Sequence, residues 1–264
     1  VEYLEAARQR VRRRRLRRTA IILAALILVT LFATGAVGAS IARVKDMVDT
    51  VHIALSPAVG WPQQTGLGDL TAVQPMSGSF VAMDEDACAV YSLGGTRLAS
   101  IQSGYARPAL AAGKTRFVLY NRSGNELRVE SRTQNLYSKT LENSIYLCAM
   151  SDTGTLAVAT DSADSTARLT VYTPTMSEQL HWDMTGTQGT PVRMAFAADS
   201  RRLAVAAVTS SAGQLQANLF VLSLAQGDPV QLNSGDSVPQ WLGWQNNDTV
   251  LAVYENCAVV YGAD

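Results

Sequence analysis

Leu-Ala-Val-Ala occupies residues 156–159 and again residues 203–206, and this repeated tetrad decides the fold. Related apolar tetrads begin at Phe80, Phe117 and Leu251, and each of the five follows a polar turn. Their starting points lie 37, 39, 47 and 48 residues apart. After each tetrad comes another turn and then a further strand, in which Val and Tyr recur and apolar residues partly alternate with polar ones. A repeat of ~40–50 residues built from three or four short strands is typical of a β-propeller blade.

The tetrads also have the composition that a blade requires. A blade is a small twisted sheet that must bury both faces against its neighbours, so its inner strands are apolar on both sides. The sequence therefore predicts an all-β fold, a β-propeller domain over residues 69–264 with five blade-like repeats. The fifth repeat ends after its third strand, which leaves two interpretations. We favour a larger ring that continues beyond residue 264 over a small ring closed by a strand near Leu70–Val73.

Residues 19–42 form a run of 24 uncharged, mostly apolar residues directly after a tail that contains Arg12–Arg15, Arg17 and Arg18. A helix of that length rises roughly 36 Å, enough to cross the ~30 Å hydrocarbon core of a bilayer. Basic residues dominate only the N-terminal side of the run. The positive-inside rule then predicts a single transmembrane helix, with residues 1–18 as a cytoplasmic tail and the C-terminal domain outside the cell. The bilayer is thus one expected partner.

Two other interpretations of this segment are weaker. A signal peptide cleaved near Val37-Gly38-Ala39 fits less well, because the arginine-rich region is long and the apolar run fills a bilayer. The tail could also bind nucleic acid, but basic residues beside a span more simply contact anionic lipid head groups, here around Arg12–Arg18. The chain has no formal net charge, yet residues 1–18 carry +6 and the rest −6. An acidic domain does not favour nucleic acid as a partner.

Beyond the span, residues 43–68 are expected to form a juxtamembrane stalk and a linker. Ile41, Val44, Val48, Val51 and Leu55 recur at spacings of three and four, which indicates a helical seam. We expect a helical stalk that stops at Ser56-Pro57, because the residue before a proline disfavours helix. A parallel coiled-coil dimer is the alternative. The proline- and glycine-containing stretch that follows reads as a linker.

Several stretches resemble an uncharacterised family of Clostridia-type bacteria, a domain of unknown function. They are Ser103–Pro108, Ala112–Tyr120, Ala157–Ser162 and Leu169–Tyr172. The resemblance covers essentially the whole chain and implies a basic cytoplasmic tail, one span and an extracytoplasmic WD40-like propeller. It implies no catalytic residues, because none are established for the family.

Motifs for catalysis or metal binding do not emerge from the sequence. Neither His52 nor His181 belongs to a hydrolase or zinc motif. Asp84-Glu85-Asp86 reads as a solvated turn, since a calcium site needs six to eight oxygen ligands. We expect no cofactor and no metal. The three cysteines, Cys88, Cys148 and Cys257, lack paired spacing and are interpreted as small buried side chains.

The candidate binding residues are Tyr105, Arg107, Trp241 and Trp244. Aromatic residues and Arg are enriched at interfaces, although tryptophans that join adjacent blades are the simpler interpretation. The sequence thus favours a non-catalytic binding or scaffold module in the cell envelope, for a protein or cell-wall polymer. The alternative is a propeller-type hydrolase or lyase with carboxylates around the channel. Its candidates are Asp161, Asp164 and Glu178.

Overall fold

The computed structural model describes residues 46–51, 53–55, 57–211 and 213–263. Within these ranges the fold is all-β apart from one short helix, and it consists of five antiparallel sheets in sequence order. Each sheet corresponds to one sequence repeat. The prediction of five blades is therefore confirmed.

The strands of each blade are consecutive in the chain and adjacent in the sheet. Blade 1 contains β1 (Ala72–Met76), β2 (Ser79–Met83), β3 (Ala87–Ser92) and β4 (Arg97–Gln102). Blade 2 contains β5 (Pro108–Ala112), β6 (Arg116–Asn121), β7 (Glu126–Ser131) and β8 (Asn135–Thr140). Blade 3 contains β9 (Ile145–Met150), β10 (Leu156–Thr160), β11 (Ala167–Tyr172) and β12 (Glu178–Met184). Blade 4 contains β13 (Thr190–Phe196), β14 (Arg202–Ser211), β15 (Gln214–Ser223) and β16 (Pro229–Gly235). Blade 5 contains β17 (Trp241–Asn246), β18 (Thr249–Val253) and β19 (Ala258–Gly262).

Successive blades stack through their apolar faces. The first strands pack side by side, β1 with β5, β5 with β9, β9 with β13 and β13 with β17, which places them innermost. Four separate hydrophobic clusters fill the four junctions from blades 1 and 2 to blades 4 and 5. This division explains the apolar character of β6, β10 and β14, because each of these second strands contributes alternate side chains to two different clusters.

The Leu-Ala-Val-Ala tetrads alternate between these junctions. Leu156 and Val158 pack toward blade 2, whereas Ala157 and Ala159 pack toward blade 4. The tetrad that starts at Leu203 follows the same rule, with Leu203 facing the preceding blade.

In blade 5, the predicted alignment of the tetrad is wrong by one residue. There Val250 and Ala252 face blade 4, and Leu251 lies on the other side of the sheet. The tetrad of blade 5 therefore begins at Val250. A shift of one residue in a strand moves every side chain to the opposite face.

From Asp46 onward, the segment predicted as stalk and linker belongs to the same compact unit as the blades. Residues 46–51 and 53–55 form helix α1. The less favoured alternative, a small ring closed by a strand near Leu70–Val73, is not observed, because β1 is the first strand of blade 1 and pairs with β2. No helix among the described residues is long and apolar enough to span a bilayer. The predicted span, residues 19–42, lies outside the described residues.

Two opposite faces of the propeller can be distinguished by their connections. One carries the turns that join first to second and third to fourth strands, and we call it the docked face. The other carries the loops that join second to third strands and successive blades, and we call it the open face. The antiparallel order of each sheet places these two sets of connections at opposite ends of the strands.

Candidate functional site

Helix α1 is fixed to the docked face by a buried ion pair. The side chain of Arg116, at the start of β6, is 3% exposed, and its Nε lies 3.2 Å from a carboxylate oxygen of Asp46. Thr115 donates a hydrogen bond from Oγ1 to the same carboxylate, at 3.1 Å. Arg116 also donates from Nη1 to the carbonyl of Pro174, in a turn of blade 3. This arginine therefore joins the helix to two blades.

A second arginine, Arg132, lies fully buried under the same helix. Its Nη2 donates to the carbonyl of Asp46 at 3.0 Å and to Oγ1 of Thr50 at 2.7 Å. Its Nη1 donates to the carbonyl of Ser77 in blade 1. Burial lowers the pKa of this guanidinium, while the nearby carboxylates of Asp49 and Asp46 oppose that shift. The helix thus covers two buried cations with acidic side chains and a backbone carbonyl.

Residues 57–71 continue from helix α1 along the side of blade 1. The amides of Val59 and Gly60 both donate to the carbonyl of Gly94 on the docked face. Trp61 donates from Nε1 to the carbonyl of Leu93, and its ring lies 5.7 Å from that of Phe80. This contact covers the side of blade 1 that faces away from blade 2. The predicted linker is therefore a packed part of the domain.

The same segment reaches the open face at Asp84. The carboxylate of Asp84 accepts hydrogen bonds from the amides of Gly68, Asp86 and Ala87. These bonds, that of Gly68 first, lower the pKa of Asp84. Asp84 thus ties the segment to the β2–β3 turn, which agrees with the interpretation of Asp84-Glu85-Asp86 as a turn.

A groove of about 340 Å³ runs between the outer strands of blades 2 and 3. One end reaches the open face at Glu142 and Asn143. Along the groove, the ammonium of Lys139 lies 4.2 Å from the centre of the Tyr172 ring. Thr160 and Thr170 add hydroxyl groups to the wall. The groove therefore offers hydrogen-bonding and charged groups beside an aromatic ring.

Charged residues of both signs surround this groove. Arg168 and Asp183 form a two-pronged ion pair, at 2.6 and 3.0 Å, which lowers the pKa of the Asp183 carboxyl. Glu178, on the outermost strand β12, lies 2.8 Å from Nδ1 of the exposed His181. Such a mixed surface suits a partner that presents both donors and acceptors. The groove was not foreseen from sequence, because it arises where two repeats meet.

The three carboxylates of the enzymatic alternative lie on different parts of blade 3. Glu178 is on β12, the outermost strand of blade 3, and two strands separate β12 from the innermost strand β9. Asp161 follows β10 and accepts a hydrogen bond from the hydroxyl of Tyr146. Asp164 lies in the β10–β11 loop, on the open face.

The four predicted binding residues fall into two places. Tyr105 and Arg107 lie in the loop between blades 1 and 2 on the open face, where Tyr105 packs partly into the junction. Trp244 packs between blades 4 and 5 and donates from Nε1 to the carbonyl of Ala195. Trp241 is half exposed at the start of β17. Trp244 thus joins adjacent blades, while Arg107 and Trp241 are accessible on or near the open face, and a binding role stays a prediction.

Trp241 is held in one position by its own strand. Its ring lies flat against Gly243, where any side chain would collide with the indole. The exposed indole therefore sits on the side of blade 5 that faces away from blade 4.

The described cysteines and His181 form no assembled site. Cys88 and Cys148 are buried, and burial raises the pKa of Cys88 to about 12. Cys257 is exposed, so the prediction that all three are buried is wrong for this residue. It lies in the β18–β19 turn rather than in a strand. Among the described residues, no three His, Cys, Asp or Glu side chains are grouped to hold a metal ion. His52 lies outside the described residues.

Comparison with known proteins identifies a family and a fold. The profile of a "Family of unknown function (DUF5711)" matches residues 59–264. No curated protein matches the chain. Hsv2 of Kluyveromyces marxianus is similar in structure, with a TM-score of 0.54 and 15% identity over 73% of this chain and 67% of that chain. KlAtg21, solved with the coiled coil of AgAtg16, gives a TM-score of 0.50 and 10% identity over 70% of this chain.

A bacterial protein from Lactobacillus plantarum gives a TM-score of 0.51 and 15% identity, over 74% of this chain and 69% of that chain. The present chain covers 64% of the KlAtg21 chain. At these identities the likeness shows the propeller fold alone.

Proposed function

Because the chain belongs to DUF5711, a family of unknown function, we propose its function from its own geometry: a membrane-anchored, extracytoplasmic binding module of the cell envelope. In this proposal residues 19–42 cross the membrane once and the propeller presents its open face to a partner. The observation that carries it is the fixed position of helix α1 on the docked face. The chain therefore enters the domain on one face and leaves the other accessible.

Covalent geometry supports this orientation. Only residues 43–45 separate Ala42 from Asp46. Four peptide units span at most ~14 Å, so Asp46 stays close to the end of the proposed span in any conformation. We therefore propose that the docked face is the one turned toward the bilayer and that the open face is available to a partner in the envelope.

The partner that we favour is a protein. Polar, charged and aromatic side chains along the groove between blades 2 and 3 can pair with backbone and side-chain groups of a polypeptide. KlAtg21, a protein of the same fold, was solved with the coiled coil of AgAtg16, which supports the use of such a fold for protein binding. We propose no catalytic role for the groove.

The first experiment establishes topology. Tagged full chain is expressed in a bacterial host, membranes are washed with carbonate, and protease is added to intact spheroplasts. We expect the propeller to stay with the membrane and to be digested from outside. A chain that is released by the wash, or is protected from external protease, would refute the proposal.

The second experiment tests the groove as a binding surface. A photo-crosslinking amino acid replaces Asn143 in the groove, and a control replaces the exposed Asp228 in a turn on the docked face. A discrete protein adduct is expected at position 143 and not at position 228. Adducts at both positions, at neither, or an adduct that muramidase removes would contradict a protein partner at the groove.

A further inference from the structure

Helix α1 has two different sides, and only one of them contacts the propeller. Asp46, Asp49 and Ile53 face the blades, where Asp46 pairs with Arg116, Asp49 accepts a hydrogen bond from Thr133, and Ile53 is buried. These positions are spaced by three and four residues, which is one face of a helix.

The opposite side of the helix is apolar and exposed. Met47, Val48, Val51 and Leu55 have exposed fractions between 52% and 78%. At about 100° per residue these four side chains lie within one narrow arc, away from the docked positions. A stripe of this kind in water is unfavourable, which indicates that a further surface covers it.

The stripe continues onto the blades. Val59, Trp61 and Leu93 are also large, apolar and exposed, and all three lie at the β3–β4 turn on the docked face. Seven of the 13 exposed large apolar side chains of the described residues therefore lie on helix α1 or at this turn and the segment packed against it. We call these seven the apolar rim; they are Met47, Val48, Val51, Leu55, Val59, Trp61 and Leu93.

We infer that the apolar rim rests in the lipid interface of the membrane and holds the propeller against the bilayer. Two observations select lipid. The uncharged run of residues 19–42 ends four residues before helix α1 begins at Asp46, so chain connectivity keeps the rim near the end of the proposed span. The two acidic side chains of the described helix residues already face the blades, Asp46 against Arg116 and Asp49 against Thr133, whereas the stripe that faces outward carries four large apolar side chains. Interfacial helices bury such a side ~5–10 Å into the head-group region.

This inference rests on the membrane anchor of the proposed function and adds the contact between the domain and lipid. A second copy could cover the stripe instead, as in the coiled-coil interpretation. Disulfide crosslinking in the test below distinguishes a second copy from lipid.

The test uses the full chain with Cys257 replaced by Ser, so that no exposed cysteine remains among the described residues. One variant carries Val51→Cys in the rim, and the matched control carries Leu215→Cys beside the β14–β15 turn on the open face. The two positions are 52% and 53% exposed, respectively. Each is labelled with a fluorophore and reconstituted into vesicles of phosphatidylcholine and phosphatidylglycerol, with or without doxyl-labelled lipid.

Doxyl lipid is expected to quench the label at position 51 by about twofold or more, given the insertion depth above, and to leave the label at position 215 unchanged. Carbonate washing of the same vesicles reports the anchor separately. Retained protein with no quenching at position 51 would overturn the inference and leave the anchor standing. Protein lost in the wash would refute both. A disulfide dimer of the unlabelled Val51→Cys variant, together with no quenching of the labelled one, would assign the rim to a second copy and overturn the lipid contact.

Discussion

The ion pair under helix α1 leads to a quantitative prediction for Asp46→Ala. Arg116 is 3% exposed and Asp46 is 14% exposed, so removal of the carboxylate leaves a buried guanidinium without its counter-ion. Breaking a buried pair in this way costs ~3–5 kcal/mol. The carbonyl of Pro174 still accepts a hydrogen bond from Arg116, at 2.7 Å. We therefore expect a loss near the lower limit, ~3 kcal/mol.

An exposed pair elsewhere in the chain provides the control. Arg168 and Asp183 are closer, at 2.6 Å, but each side chain is 42% exposed. Solvent screens such a pair, so Asp183→Ala should cost only ~0.2–1 kcal/mol. The comparison separates the effect of burial from the effect of the N–O distance on stability, because the longer, buried ion pair is expected to contribute more than the shorter, exposed one.

The assay is urea unfolding of the full chain, combined with hydrogen exchange of residues 46–55. Asp46→Ala should lower the free energy of unfolding and speed exchange in the helix, because the helix loses its ion pair with Arg116 of blade 2. Arg116→Met in the Asp46→Ala background should restore part of the loss, with a coupling of ~1.5–3 kcal/mol. A coupling below ~0.5 kcal/mol, or equal losses for Asp46→Ala and Asp183→Ala, would refute the reasoning.

Three further predictions concern other parts of the domain. Gly113→Ala should destabilise the domain by ~2 kcal/mol, because the added methyl group would overlap a backbone carbonyl of blade 3. The control Gly262→Ala places its methyl group in open space and should cost less than ~0.5 kcal/mol, and thermal unfolding compares the two variants. Cys257 alone among the described cysteines should react with maleimide in the folded chain, and mass spectrometry would contradict this by finding several labels. Hydrogen bonds from the amides of Gly68, Ala87 and Asp86 lower the pKa of Asp84 below 3.8, so the ionised carboxylate should stabilise the domain above pH 3.8 and lose this effect as the pH falls through the lowered pKa. Acid unfolding followed by circular dichroism tests this, and an Asp84→Asn variant as sensitive to acid as the unsubstituted chain would contradict it.

Much of the fold follows from local pattern. The tetrads beginning at Leu156 and Leu203 predicted buried second strands, and the turns before them fixed the ends of those strands. Local signals were sufficient there because a blade is built from consecutive antiparallel strands with short connections. Blade 5 shows the limit, since Val250 and Leu251 are both apolar and the choice between them depends on which side of the sheet meets blade 4.

The candidate surfaces depend on contacts between distant parts of the chain. The groove joins Lys139 of one repeat to Tyr172 of the next, and no spacing within a repeat predicts such a meeting. Tryptophans posed a similar problem, because Trp241 and Trp244 look alike in sequence but face opposite sides of one strand.

The sequence by itself determined the repeats, the strand pattern, the apolar run of residues 19–42 and the contrast in charge between the tail and the domain. These properties depend only on composition and on the spacing of residue types along the chain, and both can be read directly from the sequence. Only the tertiary structure decided that Arg116 and Arg132 are buried under Asp46, that the predicted linker packs on blade 1, and that an apolar rim lies on one face. The reason is physical: burial and pairing of a charged side chain depend on which residues far away in sequence come within a few ångströms of it.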